Sequence, residues 1–142
     1  APQVHKGAKE HFKYALIKTL DIDPTSGADF IADICNKNDS IIEDNSFDVV
    51  ICTEVLEHTL NPFKAVQEIY RILKPNGIAV VSVPFNFRIH GPLPDCWRFT
   101  EHGLRALFSE FTDLNIEYIE TPNRFLMPIH YTLTAKKPEL KL

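Results

Sequence analysis

Apolar residues follow two periods along this chain. Residues 47–52, FDVVIC, and 78–83, IAVVSV, are nearly continuous runs rich in valine and isoleucine. A strand wetted on one face alternates, so these runs predict strands buried on both faces, as in a parallel sheet. Between them, in NPFKAVQEIYRILKPNG, Val66, Ile69, Tyr70 and Leu73 recur at helical spacing. Lys64, Gln67, Glu68, Arg71 and Lys74 fill the opposite side, which predicts an amphipathic helix. Asn61 suits its N-cap and Pro62 its first position, while Pro75 and Gly77 stop it. The unit is strand, helix, strand with a right-handed crossover. Upstream, residues 15–22, ALIKTLDI, and 29–34, DFIADI, predict two further strands, separated by turn residues. Downstream, Thr100 caps a helix over 101–108, and residues 114–121 and 130–135 alternate like antiparallel edge strands. The expected fold is a Rossmann-like three-layer α/β sandwich with a mostly parallel sheet, one domain over residues 1–142.

Composition narrows the setting. A net charge of −4 without a basic block argues against nucleic acid as partner. No apolar run reaches the roughly 18 residues of a membrane span, so no membrane partner is expected. Cys35, Cys52 and Cys96 are odd in number and far apart. They form neither a disulfide framework nor a zinc pattern, which points to the cytoplasm.

Ligands of open α/β sheets bind outside the carboxyl ends of the strands. Asp21 and Asp23 follow the first predicted strand, Asp33 ends the second, TEVLEH (residues 53–58) follows the third, and PFNFRIHGP follows the fourth. Polar chemistry therefore gathers on one edge. TEVLEH crowds two carboxylates and an imidazole together, but it lacks the histidine spacing of a zinc motif. No metal is expected.

TLDIDP, ADFIADI, NSFDVVICTEVLEH, NPFKAVQEIYRILKPNGIAVVSVPF and WRFTEHGLRALF resemble, in order, the motifs of class I S-adenosylmethionine-dependent methyltransferases of the type 11 branch. The resemblance implies S-adenosylmethionine as cofactor and a small-molecule acceptor. It implies Asp21 as the carboxylate for the ribose hydroxyls, with Asp23 as the second choice. Asp33 would meet the adenine amino group, Ile34 would line its ring, and Thr53 and Glu54 would face the methionine end. His58 and His90 are the candidate catalytic bases. Phe85, Arg88, Trp97 and Arg98 belong to a loop expected over the substrate. Bland readings stand beside these. Asp21, Asp23 and Asp33 suit turns and strand ends, His58 suits a hydrogen-bonding cap, and Phe85 and Trp97 suit core packing.

The resemblance fails at the front. The family's first strand ends in a glycine-rich turn, and APQVHKGAKEHFKY (residues 1–14) offers neither. The first family strand is therefore expected to be absent. Its central place would be closed by pairing residues 15–22 with 47–52, or filled by the N-terminal residues or by a second chain in a homo-oligomer. Without that turn, the resemblance to the family does not by itself imply enzymatic activity. One expectation is a methyltransferase that binds its cofactor weakly. The alternative is an inactive Rossmann-like remnant working through protein–protein contacts.

Overall fold

The strand–helix–strand unit forms from the signals that predict it. In the computed structural model, which describes residues 11–139, the Asn61 side chain accepts from the backbone N–H of Lys64 at 3.1 Å. Pro62 opens helix α1, Pro62–Ile72. The helix ends because Leu73 is already extended, ahead of Pro75, which disfavours helical geometry at Lys74. Strand β3, Phe47–Thr53, precedes α1, and β4, Leu73–Pro84, follows it. The two pair in parallel, Val49 to Ile78 through Thr53 to Ser82. Gly77 sits where a Cβ would lie 2.8 Å from the Lys74 carbonyl and 3.1 Å from that of Asp48, so this crossing excludes a side chain. Lys137 closes the same end. Its buried ammonium donates to the carbonyls of Tyr70 and Leu73 and to Asn45 Oδ1.

Helix α2, Glu101–Leu107, is capped by Thr100, whose hydroxyl accepts from Gly103 N–H at 3.1 Å. Strands β5, Thr112–Ile119, and β6, His130–Lys136, pair antiparallel as expected, and β6 also pairs antiparallel with β4. The main sheet runs β3-β4-β6-β5. Its core face carries Cys52, Ala79, Val81, Val83, Leu133 and Ala135 against Ala65, Val66 and Ile69 of α1 and Leu104 and Leu107 of α2. Among the described residues no helix is long and apolar enough to cross a membrane.

Three expectations change. Strand β1 is only Leu20–Asp21 and pairs with β2, Phe30–Ile31, in a separate two-stranded parallel sheet. Residues 15–19 have no strand partner to extend it. They are held instead by the Asp29 carboxylate, which accepts from Lys18 Nζ and from Thr19 N–H and Oγ1. Second, β1 does not pair with β3, so the central place is not closed by collapse. Residues 11–14 form no strand there, and residues 1–10 lie outside the described residues. Third, β3 is not buried on both faces. Val49 and Ile51 are 45% and 43% exposed, because the described helices cover only the face bearing Val50 and Cys52.

This asymmetry is measurable by denaturant unfolding. Leu133→Ala, at 1% exposure, is expected to cost about 2–5 kcal/mol. Ile51→Ala on the open face should cost under about 1 kcal/mol, since much of its side chain is already in water.

Candidate functional site

At the carboxyl end of β3 the backbone turns sharply. Glu54 has φ +54°, a left-handed conformation that residues other than glycine rarely adopt and that recurs at functional sites. Its N–H donates to the Ser82 carbonyl at 3.0 Å. Its carboxylate accepts from Ser82 Oγ and His130 Nε2. A 3₁₀ turn, Leu56–His58, follows and buries Leu56 and Glu57.

The loop after β4 folds onto this turn. Cys96 and Trp97 N–H both donate to the Glu57 carbonyl, at 2.7 and 3.1 Å. Trp97 Nε1–H donates to the Thr59 carbonyl at 2.8 Å. Within the loop, Arg98 grips both oxygens of the buried Asp95 carboxylate and donates to the carbonyls of Phe87 and Arg88. That guanidinium holds Asp95 well below the usual carboxylate range.

These contacts bring His58 and His90 together, with ring centroids 4.8 Å apart. His58 Nδ1 donates to the Pro94 carbonyl at 2.9 Å. Asp95 Oδ2 accepts from His90 Nδ1 at 3.1 Å and from its backbone N–H at 2.8 Å. Both rings thus carry hydrogen on Nδ1, and when neutral each presents a bare Nε2. Both Nε2 atoms face Glu57 Oε1, at 3.6 and 3.7 Å. The Glu57 side chain is fully buried, and neither carboxylate oxygen has a hydrogen-bond partner. Burial pushes this carboxyl above its ordinary value and the neighbouring Glu54 adds to it, while the residue's own backbone N–H and, less, the two imidazoles oppose it. One atom from each of Glu57, His58 and His90 falls within 4.8 Å of the other two, the only such grouping of possible metal ligands among the described residues.

The other predicted residues are placed as follows. Asp21 is the last residue of β1 and accepts from Asp23 N–H at 2.9 Å. Asp23 holds its own turn through Thr25 N–H and Oγ1, which lower its pKa. Asp33 accepts from Cys35 N–H at 2.8 Å, and Cys35 Sγ reaches the Asn61 carbonyl at 3.4 Å. Asp33, after β2, is thereby joined through Cys35 to Asn61 at the start of α1. Ile34 and Phe85 pack against the core. Thr53 pairs with Ser82 at the strand ends. Trp97 stacks on Phe99, Arg98 is spent on Asp95, and Arg88 is exposed. Two concavities, of about 110 and 340 Å³, lie against α1; Cys35 lines the second, and neither includes any of the predicted site residues.

Two members of the cluster escaped the sequence reading. Glu57 was visible within TEVLEH, but nothing in the string says which carboxylate turns inward. Asp95 gave no signal, because its role depends on a loop folding back on His90 and Arg98.

A family description, the type 11 "Methyltransferase domain", matches residues 11–81, half of the chain. The ubiquinone biosynthesis O-methyltransferase of Rickettsia prowazekii is 46% identical over 39 residues, which is 28% of this chain and 16% of that protein. The chain spans less than a fifth of the length of the first curated relatives it matches. Among solved structures, a SAM-dependent methyltransferase from Archaeoglobus fulgidus superposes with TM-score 0.72 at 16% identity, covering 96% of this chain and 82% of that one. A chain of the complex between the Haloferax volcanii Trm112 methyltransferase activator and a methyltransferase gives 0.67 at 16% identity, over 95% and 79%. At such identities the superpositions speak for the fold.

Glu57 yields a pH prediction. Its carboxyl is raised in the folded chain, so the folded state keeps that proton to higher pH than the unfolded state. Stability therefore falls as pH rises from the ordinary glutamate value of 4.5 through the raised one. Glu57→Gln removes the ionisation. With a chelator present, thermal unfolding should show the variant more stable near pH 7 by about 1–3 kcal/mol, the difference vanishing below about pH 4.

Proposed function

The chain belongs to the type 11 methyltransferase-domain family, and from that premise we propose that it transfers a methyl group from S-adenosylmethionine to an oxygen or nitrogen of a small molecule. The observation that carries this reading is the gathering of Thr53, Glu54, Glu57, His58 and His90 where the parallel strands β3 and β4 end. When bound, S-adenosylmethionine supplies a methyl carbon already activated by its sulfonium.

The residues present fit that cofactor on its adenosine side. A carboxylate has about four lone-pair sites, so Asp21 and Asp33 can accept further hydrogen bonds beyond those of their own turns. Asp21 would take the ribose hydroxyls in preference to Asp23, whose carboxylate is engaged by Thr25. Asp33 would accept from the adenine amino group, with Ile34 against the ring. Thr53 and Glu54 would face the methionine end. His58 and His90 stand on the acceptor side, where a group that draws off the acceptor's proton is needed. Arg98 shapes the loop through Asp95, which leaves the exposed Arg88 to meet an anionic acceptor. Phe85 and Trp97 would wall the acceptor site.

The rest of the reading concerns setting. Three free thiols, with Cys52 pushed up to about 12 by burial, support a reducing cytoplasmic location. Among the described residues β3 is an edge strand of the order β3-β4-β6-β5, and an open edge favours the addition of a strand, a second copy of the chain being one source. The 142 residues then act as a single domain.

Calorimetric titration with S-adenosylhomocysteine and transfer of labelled methyl test the proposal. Asp21→Ala should weaken cofactor binding by about 1.5–3 kcal/mol, the worth of hydrogen bonds to a charged group. His58→Ala should lower turnover while leaving that affinity alone. Cofactor affinity identical in Asp21→Ala and the parent chain would remove the ribose assignment. Failure to bind at millimolar cofactor would sink the reading.

A further inference from the structure

Glu57 poses a physical problem. An ionised carboxylate taken fully out of water costs several kcal/mol unless something compensates it. Here both oxygens lack a hydrogen-bond donor. The two nearest polar side chains do not help while neutral, because each spends its Nδ1 hydrogen elsewhere. His58 donates to the Pro94 carbonyl and His90 to Asp95. What remains are three electron-pair donors pointing at one another: Glu57 Oε1 and the Nε2 atoms of His58 and His90.

A proton does not resolve this arrangement. On Glu57, or on one ring, it would serve one pair, and the separations of 3.6 and 3.7 Å exceed a hydrogen bond. A metal ion serves all three atoms at once. Tetrahedral coordination with bonds of about 2.0–2.1 Å sets ligand atoms about 3.3 Å apart. The two Glu57–histidine separations lie within a few tenths of an ångström of that, and one ligand atom from each of the three residues falls within 4.8 Å of the others. The outer contacts are those of a built site. Metal-binding histidines characteristically donate their other nitrogen to a carboxylate or a backbone carbonyl, which fixes tautomer and aim. His90 has the carboxylate and His58 the carbonyl, and Arg98 holds that carboxylate from behind.

We propose that Glu57, His58 and His90 bind a divalent metal ion of the zinc class, with Asp95 and the Pro94 carbonyl as positioning groups. Two imidazoles and one carboxylate favour Zn²⁺ and its transition-metal neighbours over Mg²⁺ and Ca²⁺, which prefer all-oxygen sets. Three protein ligands leave a coordination position for water or for an oxygen of a bound molecule. Resting on the methyl-transfer reading, that position is where an acceptor hydroxyl would be held, its proton passing to solvent water, with His58 and His90 then acting as ligands in place of free bases. The metal assignment itself needs no cofactor. A sequence reading could not reach it, since His90 lies 32 residues beyond His58, outside any recognised ligand spacing.

The test uses the full chain, stripped with a chelator and titrated with Zn²⁺ by calorimetry and with Co²⁺ by visible absorbance. One ion per chain is expected, uncontested by a large excess of Mg²⁺. Glu57→Gln and His90→Ala should each weaken Zn²⁺ binding by about 100-fold or more. Asp95→Asn should weaken it about 10–100-fold although every ligand remains. His102→Ala, an exposed histidine on α2, should bind as the parent chain does. Circular dichroism of Glu57→Gln against the parent chain shows whether the variant is folded, so that its loss of binding is not mistaken for misfolding. Equal Zn²⁺ affinity in the parent and Glu57→Gln overturns the site, as does a parent chain that binds no Zn²⁺. S-adenosylhomocysteine affinity, measured on the same samples, judges the cofactor reading separately.

Discussion

Strands β3 and β4 run parallel and in register from Val49–Ile78 to Thr53–Ser82, so their carboxyl ends stop side by side. Much else depends on that pairing. It places the turn after β3 and the loop after β4 at one edge, close enough for the Glu57 carbonyl to accept from Cys96 and Trp97. Those bonds hold the loop down, and the loop carries His90 to His58. A parallel pair requires a crossover, and α1 supplies it while covering the core face. The sheet's packing and its chemistry thus share one cause.

The described residues use their sheet unevenly. Valine, alanine and leucine from β4 and β6 are sealed on the face shared with α1 and α2, while Val49, Ile51 and Ile78 on the other face stay in contact with water. The two-stranded β1–β2 sheet stands apart from β3 and is tied in through Asp33, Cys35 and the start of α1. The acids for the proposed cofactor and the cluster after β3 therefore sit on separate sheets, joined by loops rather than by strand hydrogen bonds. Loop connections open at lower free energy than ladder pairing, and cofactor binding would have to order this junction.

Two buried charges show how differently the fold treats polar groups. The Lys137 ammonium meets three oxygens and lies over the Tyr70 ring. It is satisfied and structural, closing the end of α1. The Glu57 carboxylate meets none. Buried groups left unsatisfied are rare in native proteins and tend to mark sites of function. The surrounding bonds, from Arg98 to Asp95 to His90 and from Pro94 to His58, are well made, so the unsatisfied group is surrounded by a rigid shell. Preorganisation of this kind is what a binding or reacting site requires.

The sequence by itself determined the local elements and the edge on which chemistry gathers. The 3.6 spacing of Val66, Ile69 and Tyr70, with Asn61 and Pro62 ahead of them, sufficed for α1 as far as Ile72, because capping and amphipathicity act within a few residues; Leu73, which fits the same spacing, already belongs to β4. The antiparallel β5–β6 pair was legible from its alternation. Strand lengths upstream were not, since residues 15–19 needed a second neighbour to extend β1, and a neighbour is a non-local fact. The burial of Val49 and Ile51 was misjudged for the same reason: continuous hydrophobicity records what a strand can cover, not whether anything covers it. His58 and His90 were each legible as candidates. Their meeting, the inward turn of Glu57 instead of Glu54, and the positioning role of Asp95 were decided only by the tertiary structure. Those outcomes depend on distances between residues far apart in the chain, which the backbone sets through the β3–β4 register and the loop bonds to Glu57.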